Sequence, residues 1–177
     1  MSAIGVIGAG YVGLSTAACL ASMGHDVVCG DSDADKVARL SKAEIPILEE
    51  GLPELVAGGL SSRRLRFVPS AREAASGAEF VFFCVPTPEG EDGSADMSIV
   101  HAVAQQIAST LRPGSVVVNK STMPVGSTVR VAQILSEAGA PGDIGVASNP
   151  EFLREGSAVR DFLHPMRVVI GATDAAN

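Results

Sequence analysis

Glycines at positions 8, 10 and 13 punctuate the segment Gly8-Ala9-Gly10-Tyr11-Val12-Gly13, between two apolar runs, Ala3–Gly8 and Tyr11–Met23. Glycines at this spacing let a chain turn tightly, bring backbone against a ligand, and start a helix packed close on the strand before it. The free N–H groups and positive dipole end of that helix then face whatever enters, which favours a phosphate. Asp31, 18 residues beyond Gly13, ends the next apolar run, Asp26–Gly30. A carboxylate there accepts hydrogen bonds from both hydroxyls of an adenosine ribose and repels a 2′-phosphate. Together these features point to a dinucleotide, NAD in preference to NADP. Lys36 can reach the same ribose, although a surface lysine fits its spacing as well.

Three later segments also follow apolar runs. They are Val85-Pro86-Thr87-Pro88, Lys120-Ser121-Thr122-Met123-Pro124-Val125-Gly126 and Asn149-Pro150-Glu151-Phe152-Leu153-Arg154-Glu155. Asn149 is suited to cap a short helix and Pro150 to start it, giving an expected helix over Pro150–Glu155. Glu151 and Glu155 are then four residues apart on one helical face. Two carboxylates sharing a cleft act as bases or bind sugar hydroxyls; a solvated helix face accounts for the same spacing.

The elements that must position these residues alternate between strand and helix. Strands are expected at Ala3–Gly8, Asp26–Gly30, Arg64–Val68, Glu79–Val85, Ser115–Asn119, Asp143–Ala147 and Arg167–Gly171. Helices are expected at Tyr11–Met23, Ala34–Ser41, Ser98–Leu111, Ser127–Glu137 and Ser157–Phe162. A helical turn is expected at Ala71–Ala75, and a short helix at Pro53–Val56 inside a looser, glycine-bearing stretch. Repeated strand–helix–strand units imply a parallel sheet with right-handed crossovers. The fold class is α/β, a doubly wound Rossmann sheet in a single domain over residues 1–177. The acidic loop 86–96 has the length of a lid or a disordered segment.

Composition agrees with this class. Aromatic residues make up 4% of the chain, so aliphatic side chains must fill the core. The net charge of −7 argues against a nucleic-acid or membrane-surface partner, so an anionic ligand has to be held by local donors. No metal spacing is present, and Cys19, Cys29 and Cys84 lie among apolar neighbours as buried, reduced thiols. With no signal peptide and no membrane-length apolar run, a cytoplasmic protein is expected.

GAGYVG, DSDADK, FCVPTP, DGSADMS, KSTMPVGS, NPEFLREGSAVRDF and RVVIG run in order along the chain. In combination they resemble the UDP-glucose/GDP-mannose dehydrogenase family. VPTP and KSTMPVGS are closer to its UDP-glucose branch. The resemblance implies oxidation of a sugar-nucleotide C6 alcohol to a carboxylate with two NAD, through a cysteine-bound thiohemiacetal and thioester. It implies that Gly8, Gly10, Tyr11, Val12 and Gly13 hold the pyrophosphate and that Asp31 and Lys36 hold the ribose. Thr87 and Thr122 would line the nicotinamide side, with Glu155 nearby. Glu151, Phe152, Leu153, Arg154 and Glu155 would form this domain's share of the sugar-nucleotide site. Thr122 and Glu155 would orient the hydrolytic water, Glu155 being the preferred base, and Glu151 belongs to the same catalytic group.

Two departures from the family pattern bear on this reading. The family's central helix, second domain and nucleophilic cysteine are not found in these residues, and none of the three cysteines matches that nucleophile. Isolated, the chain is therefore expected to be inactive, and a monomer or weak dimer where the family dimerises. Met166 replaces a customary Asp, which leaves Arg167 without that partner. The other readings are a stand-alone NAD-binding module, a GDP-mannose or N-acetyl-sugar nucleotide enzyme, and a 3-hydroxyacid dehydrogenase; the paired carboxylates of NPEFLRE argue against the last.

Overall fold

The computed structural model of the protein describes residues 1–172. Six parallel strands form the sheet: β1 (Ala3–Ile7), β2 (Asp26–Gly30), β3 (Leu65–Val68), β4 (Phe80–Phe83), β5 (Val116–Asn119) and β6 (Gly145–Ser148). A two-residue strand, β7 (Gly171–Ala172), pairs antiparallel with β6. The sheet order is β3-β2-β1-β4-β5-β6-β7. The sheet is built outward from β1 in one direction through β2 and β3 and in the other through β4, β5 and β6, and at the β1/β4 switch point the carboxyl ends of the strands open a crevice.

Helices cover both faces: α1 (Tyr11–Ser22), α2 (Ala34–Leu40), α3 (Leu52–Ser61), α4 (Ala71–Ala75), α5 (Ser98–Ile107), α6 (Ser127–Glu137) and α7 (Ala158–Leu163). Side chains alternate across β1, so Ile4 and Val6 join one core with Leu14, Leu52 and Val56, while Ile7 joins the other with Phe83, Val100 and Ile107. Phe67 and Phe83 are the buried aromatics; aliphatic residues fill the rest. α1 is buried from Gly13 to Cys19, so it lies inside the protein and presents only its start to the crevice. The Asp33 carboxylate caps α2 and the Ser70 hydroxyl caps α4.

Three expectations need correction. Residues 150–155 are not helical, so Glu151 and Glu155 do not share a helical face, and Asn149 is not a cap. Side chains take the backbone donors that a helix would use. The Glu151 carboxylate accepts the Leu153 N–H, Asp161 accepts the Arg154 N–H, and Gly156 is left-handed at φ +84°. The strand expected over Arg167–Gly171 shrinks to Gly171–Ala172, and Val168, Val169 and Ile170 are exposed. Their β-branched pattern is that of a buried strand, but the register with β6 joins only Gly171 and Ala172 to it. The short helix Pro53–Val56 instead runs from Leu52 to Ser61 through Gly58 and Gly59. Gly59 is an asset there, because a Cβ would sit 2.9 Å from that of Leu65. The acidic loop is ordered into a small turn by a Glu89–Ala95 bridge and by Asp92 accepting the Ser94 N–H.

The three turn glycines have distinct reasons. A Cβ on Gly13 would lie 1.8 Å from the Gly8 carbonyl oxygen. Gly8 adopts φ +98°, and a Cβ there would lie 2.5 Å from the Cys84 carbonyl oxygen. Gly10 faces open space, with no atom within 4 Å of a built Cβ, so nothing in the protein itself demands glycine there. Gly13→Ala is expected to lower unfolding free energy by about 1–3 kcal/mol through overpacking. Gly10→Ala is expected to change it by less than about 1 kcal/mol while weakening dinucleotide affinity roughly tenfold or more. Denaturant unfolding and calorimetric titration of both variants check this; an unaffected affinity in Gly10→Ala would place the ligand elsewhere.

Candidate functional site

A cleft of about 690 Å³ opens at the switch point, and Gly8, Gly10, Tyr11, Val12, Asp31, Lys36, Thr87, Thr122 and Glu151 all line it. Gly13 stands behind its wall as the spacer between helix and turn. The N-cap of α1 is Gly10, with no side chain to satisfy the first-turn amides, so those donors remain for a ligand.

Asp31 follows β2 at the far side of the turn. Its carboxylate accepts the Ala9 N–H at 2.8 Å, the Asp33 N–H at 3.0 Å and the Lys36 ammonium at 3.0 Å. Burial works against its ionisation, but the N–H groups of Asp33 and Ala9 and the Lys36 charge outweigh it and hold the carboxyl below the ordinary aspartate range. The structure thus brings Lys36 onto Asp31, which its spacing alone left open. A negative, oriented acceptor stands at this end of the cleft.

The other end of the cleft is built by the loops after β4 and β5. The Thr87 hydroxyl donates to the Thr122 carbonyl at 2.8 Å, and the Ser121 hydroxyl donates to the Val85 carbonyl at 2.6 Å. These bonds lock the two loops together. Lys120, just past β5, is 6% exposed, and its ammonium donates to the Asn149 Oδ1 at 3.1 Å and sits 5.6 Å from the Phe162 ring. Burial pulls the Lys120 pKa below the ordinary lysine value, with Cys84 and Glu151 opposing it.

Glu151 and Lys120 also border a second cavity of about 660 Å³, lined by Phe152, Leu153, Arg154 and Arg167 among others. Arg154 makes a two-pronged ion pair with Asp161, at 3.0 and 2.7 Å. Hydrogen bonding from Arg154 is the main cause that lowers the Asp161 carboxyl to about 2. Arg167 lies 4.7 Å from the Phe152 ring, so an aromatic face stands in for the partner it was expected to lack. Glu155 is exposed and lines neither cavity, although it is near enough for its charge to raise the Tyr11 pKa, behind the larger effects of burial and Glu49.

The sequence reading did not single out Lys120, Ser121 or Glu49 as functional. Lys120 leaves one signal, a lysine directly after the buried run Val116–Asn119. Glu49 lies in a stretch without periodicity and leaves none. The three cysteines are buried, and burial pushes the Cys19 and Cys84 thiols up to about 12 and raises Cys29 as well. Among the described residues, no cluster of His, Cys, Asp and Glu could hold a metal, and no helix is long and apolar enough to cross a membrane.

Comparison with known proteins agrees with this geometry. Residues 2–177 match the model of the UDP-glucose/GDP-mannose dehydrogenase family, NAD binding domain. A UDP-glucose 6-dehydrogenase of Pseudomonas aeruginosa is 52% identical over 173 residues, covering 96% of this chain and 38% of that protein. The structure of a UDP-glucose dehydrogenase from Pyrobaculum islandicum superposes with TM-score 0.94 at 44% identity, over 99% of this chain and 42% of that one. GDP-mannose dehydrogenase from Pseudomonas aeruginosa superposes with TM-score 0.92 at 32% identity, over 97% of this chain and 41% of that one. The chain thus spans about two fifths of the length of these relatives. With the glycine turn, the Asp31 acceptor and this match along nearly its whole length, the chain belongs to the UDP-glucose/GDP-mannose dehydrogenase family, as its NAD-binding domain.

Proposed function

We propose that residues 1–177 act as one domain that holds NAD for oxidation of a sugar-nucleotide C6 alcohol, with UDP-glucose as the substrate. The observation that carries this reading is the convergence of Gly10, Asp31, Thr87, Thr122 and Glu151 on one cleft. The donor set fits NAD. Open space at Gly10 admits a pyrophosphate to the α1 amides, and Asp31 is charged and aimed to accept ribose hydroxyls. NAD, when bound, supplies the hydride acceptor. The chain's own residues bind and orient: Gly8, Gly10, Tyr11, Val12 and Gly13 shape the pyrophosphate seat, Asp31 and Lys36 take the ribose, and Thr87 and Thr122 border the nicotinamide end.

Glu151 is the carboxylate on the boundary between the two cavities, so it is placed to accept a proton or a sugar hydroxyl beside the cofactor. Phe152, Leu153 and Arg154 offer the sugar nucleotide an apolar and cationic wall. Thr122 and Glu155 would orient the hydrolytic water, which in this arrangement requires Glu155 to turn inward from its exposed position. Cys19, Cys29 and Cys84 take no part, since a nucleophilic thiol has to ionise near neutral pH and these are held as buried thiols.

NAD is expected to bind more tightly than NADP, and Asp31→Ala to weaken NAD by about 1.5–3 kcal/mol, or roughly ten- to a hundredfold. Because the Asp31 pKa is depressed in the folded protein, its carboxylate stays charged above that lowered value, and the preference should persist from pH 8 down to about 5. Calorimetry with both cofactors decides, and equal or tighter NADP binding sinks the ribose assignment.

The purified chain, given NAD and UDP-glucose, is expected to produce no NADH. A thiol reagent at pH 8 should leave all three cysteines unlabelled in the folded protein and label them on unfolding. Steady NADH formation that a Cys→Ser change abolishes would overturn the exclusion of these thiols. Titrating GDP-mannose and UDP-N-acetyl sugars beside UDP-glucose tests the sugar nucleotide; tighter binding of one of them reassigns it.

A further inference from the structure

Glu49 is a carboxylate that the reaction outlined above does not use. It lies between α2 and α3, 6% exposed, beside the exposed Glu50. Its Oε1 accepts the Ala158 N–H at 2.6 Å, and its Oε2 accepts the Gly156 N–H at 2.9 Å. The Tyr11 hydroxyl also donates to Oε2, at 2.7 Å. Buried charge is tolerated only when its acceptors are filled, and both oxygens of Glu49 are. The amide partners stand 107 and 109 residues away in sequence, so the contact is a product of the fold.

The partners on the two sides of Glu49 differ in kind. Tyr11 is the first residue of α1 and borders the cofactor cleft. Gly156 lies in the turn that follows Glu151–Glu155, and Ala158 starts α7 directly after it. The Arg154 carbonyl lies 2.7 Å from the same Tyr11 hydroxyl, so one hydrogen is shared between that turn and Glu49. A ligand that fixes the start of α1 also fixes Tyr11, and through Glu49 it restricts the opening of the turn.

We propose that Glu49 is a positioning residue, tying the turn beside Glu151–Glu155 to the pyrophosphate end of α1 so that dinucleotide binding orders the substrate-facing segment. The proposal rests on the reading of that segment as the sugar-nucleotide wall. It couples NAD to the sugar nucleotide, each raising the affinity for the other by the same factor, since a cofactor-loaded domain presents a more rigid wall. Preorganisation of this kind lowers the ordering cost of the second ligand.

Amide hydrogen exchange on the 177-residue chain, with and without saturating NAD, tests it. In the unsubstituted protein the Gly156 and Ala158 amides should be protected, and NAD should slow their exchange further by about threefold or more. Glu49→Gln keeps the side chain's size but removes one acceptor oxygen. It should speed exchange at those two amides about tenfold and abolish the response to NAD, although NAD still binds. Glu50→Gln should leave both readouts as they were.

Unchanged protection in Glu49→Gln overturns the proposal, and so does a turn indifferent to NAD in the unsubstituted protein. If Glu49→Gln does not fold, Tyr11→Phe takes the α1 hydroxyl away from both Glu49 and the Arg154 carbonyl and leaves the Glu49 bonds to the Gly156 and Ala158 amides in place. Basal protection of Gly156 and Ala158 should then stay while the NAD response is lost, and a retained response overturns the proposal. A turn that responds to NAD while no sugar nucleotide ever binds more tightly to the loaded domain refutes the substrate reading and leaves the role of Glu49 standing.

Discussion

The close approach of α1 to the end of β1 governs everything arranged around the cleft. With Gly13 against the Gly8 carbonyl, the helix has no lateral freedom where it starts, and its first amides point past Gly10 into the crevice. The Gly8 N–H donates to the Gly30 carbonyl at 2.8 Å, so the same turn is tied to the end of β2. The Asp31 carboxylate, one residue on, reaches back to the Ala9 N–H. The first α1 amides and the Asp31 carboxylate thus have a fixed separation, because both hang on one short piece of backbone that cannot relax without a clash.

An acidic protein that binds an anionic ligand has to solve the problem locally. The chain carries 20 acidic against 13 basic side chains, and long-range attraction does not help it. Backbone dipoles at the start of α1 supply the positive field, and they do so in a site where water is partly excluded and a hydrogen bond is electrostatically stronger. Lys36 sits on Asp31 and tempers that charge without removing its capacity to accept. At the other end, Lys120 is the buried cation near Glu151, and its contact with Asn149 joins the ends of β5 and β6.

Residues 149–158 show how an irregular segment can be held as firmly as a helix. Asn149 bridges Lys120 and the Val169 carbonyl, Glu151 takes the Leu153 N–H, Asp161 clamps Arg154, and Glu49 takes the amides of Gly156 and Ala158. The N–H groups of Leu153, Arg154, Gly156 and Ala158 are taken by carboxylates in place of helical carbonyl partners, so these donors are satisfied without regular structure in the segment. A loop held in this way can present Glu151 at a defined place on the edge of two cavities.

The α/β class, six of the strands, the glycine turn and the Asp31 acceptor were legible in the residues themselves. Each depends on interactions between near neighbours: apolar runs that bury a strand on both faces, a turn that needs glycine, a carboxylate that ends a strand. Spacing also located the loops after β4, β5 and β6 at the ligand-binding edge, since the parallel sheet places all its carboxyl ends there. Local pattern failed where a distant side chain competes for the backbone. Pro150–Glu155 reads as a capped helix, but Asp161 and Glu49 draw donors away, and Glu155 is left outside while Glu151 faces the cleft. Gly58 and Gly59 read as breakers, but α3 runs through both, and Gly59 is where it packs against Leu65. Glu49 carried no sign in its own neighbourhood, because its role lies in amides more than a hundred residues away. Only the folded chain brings them within 3 Å, which is why tertiary structure alone decided which carboxylates face the cleft and which ones are taken up by distant backbone amides.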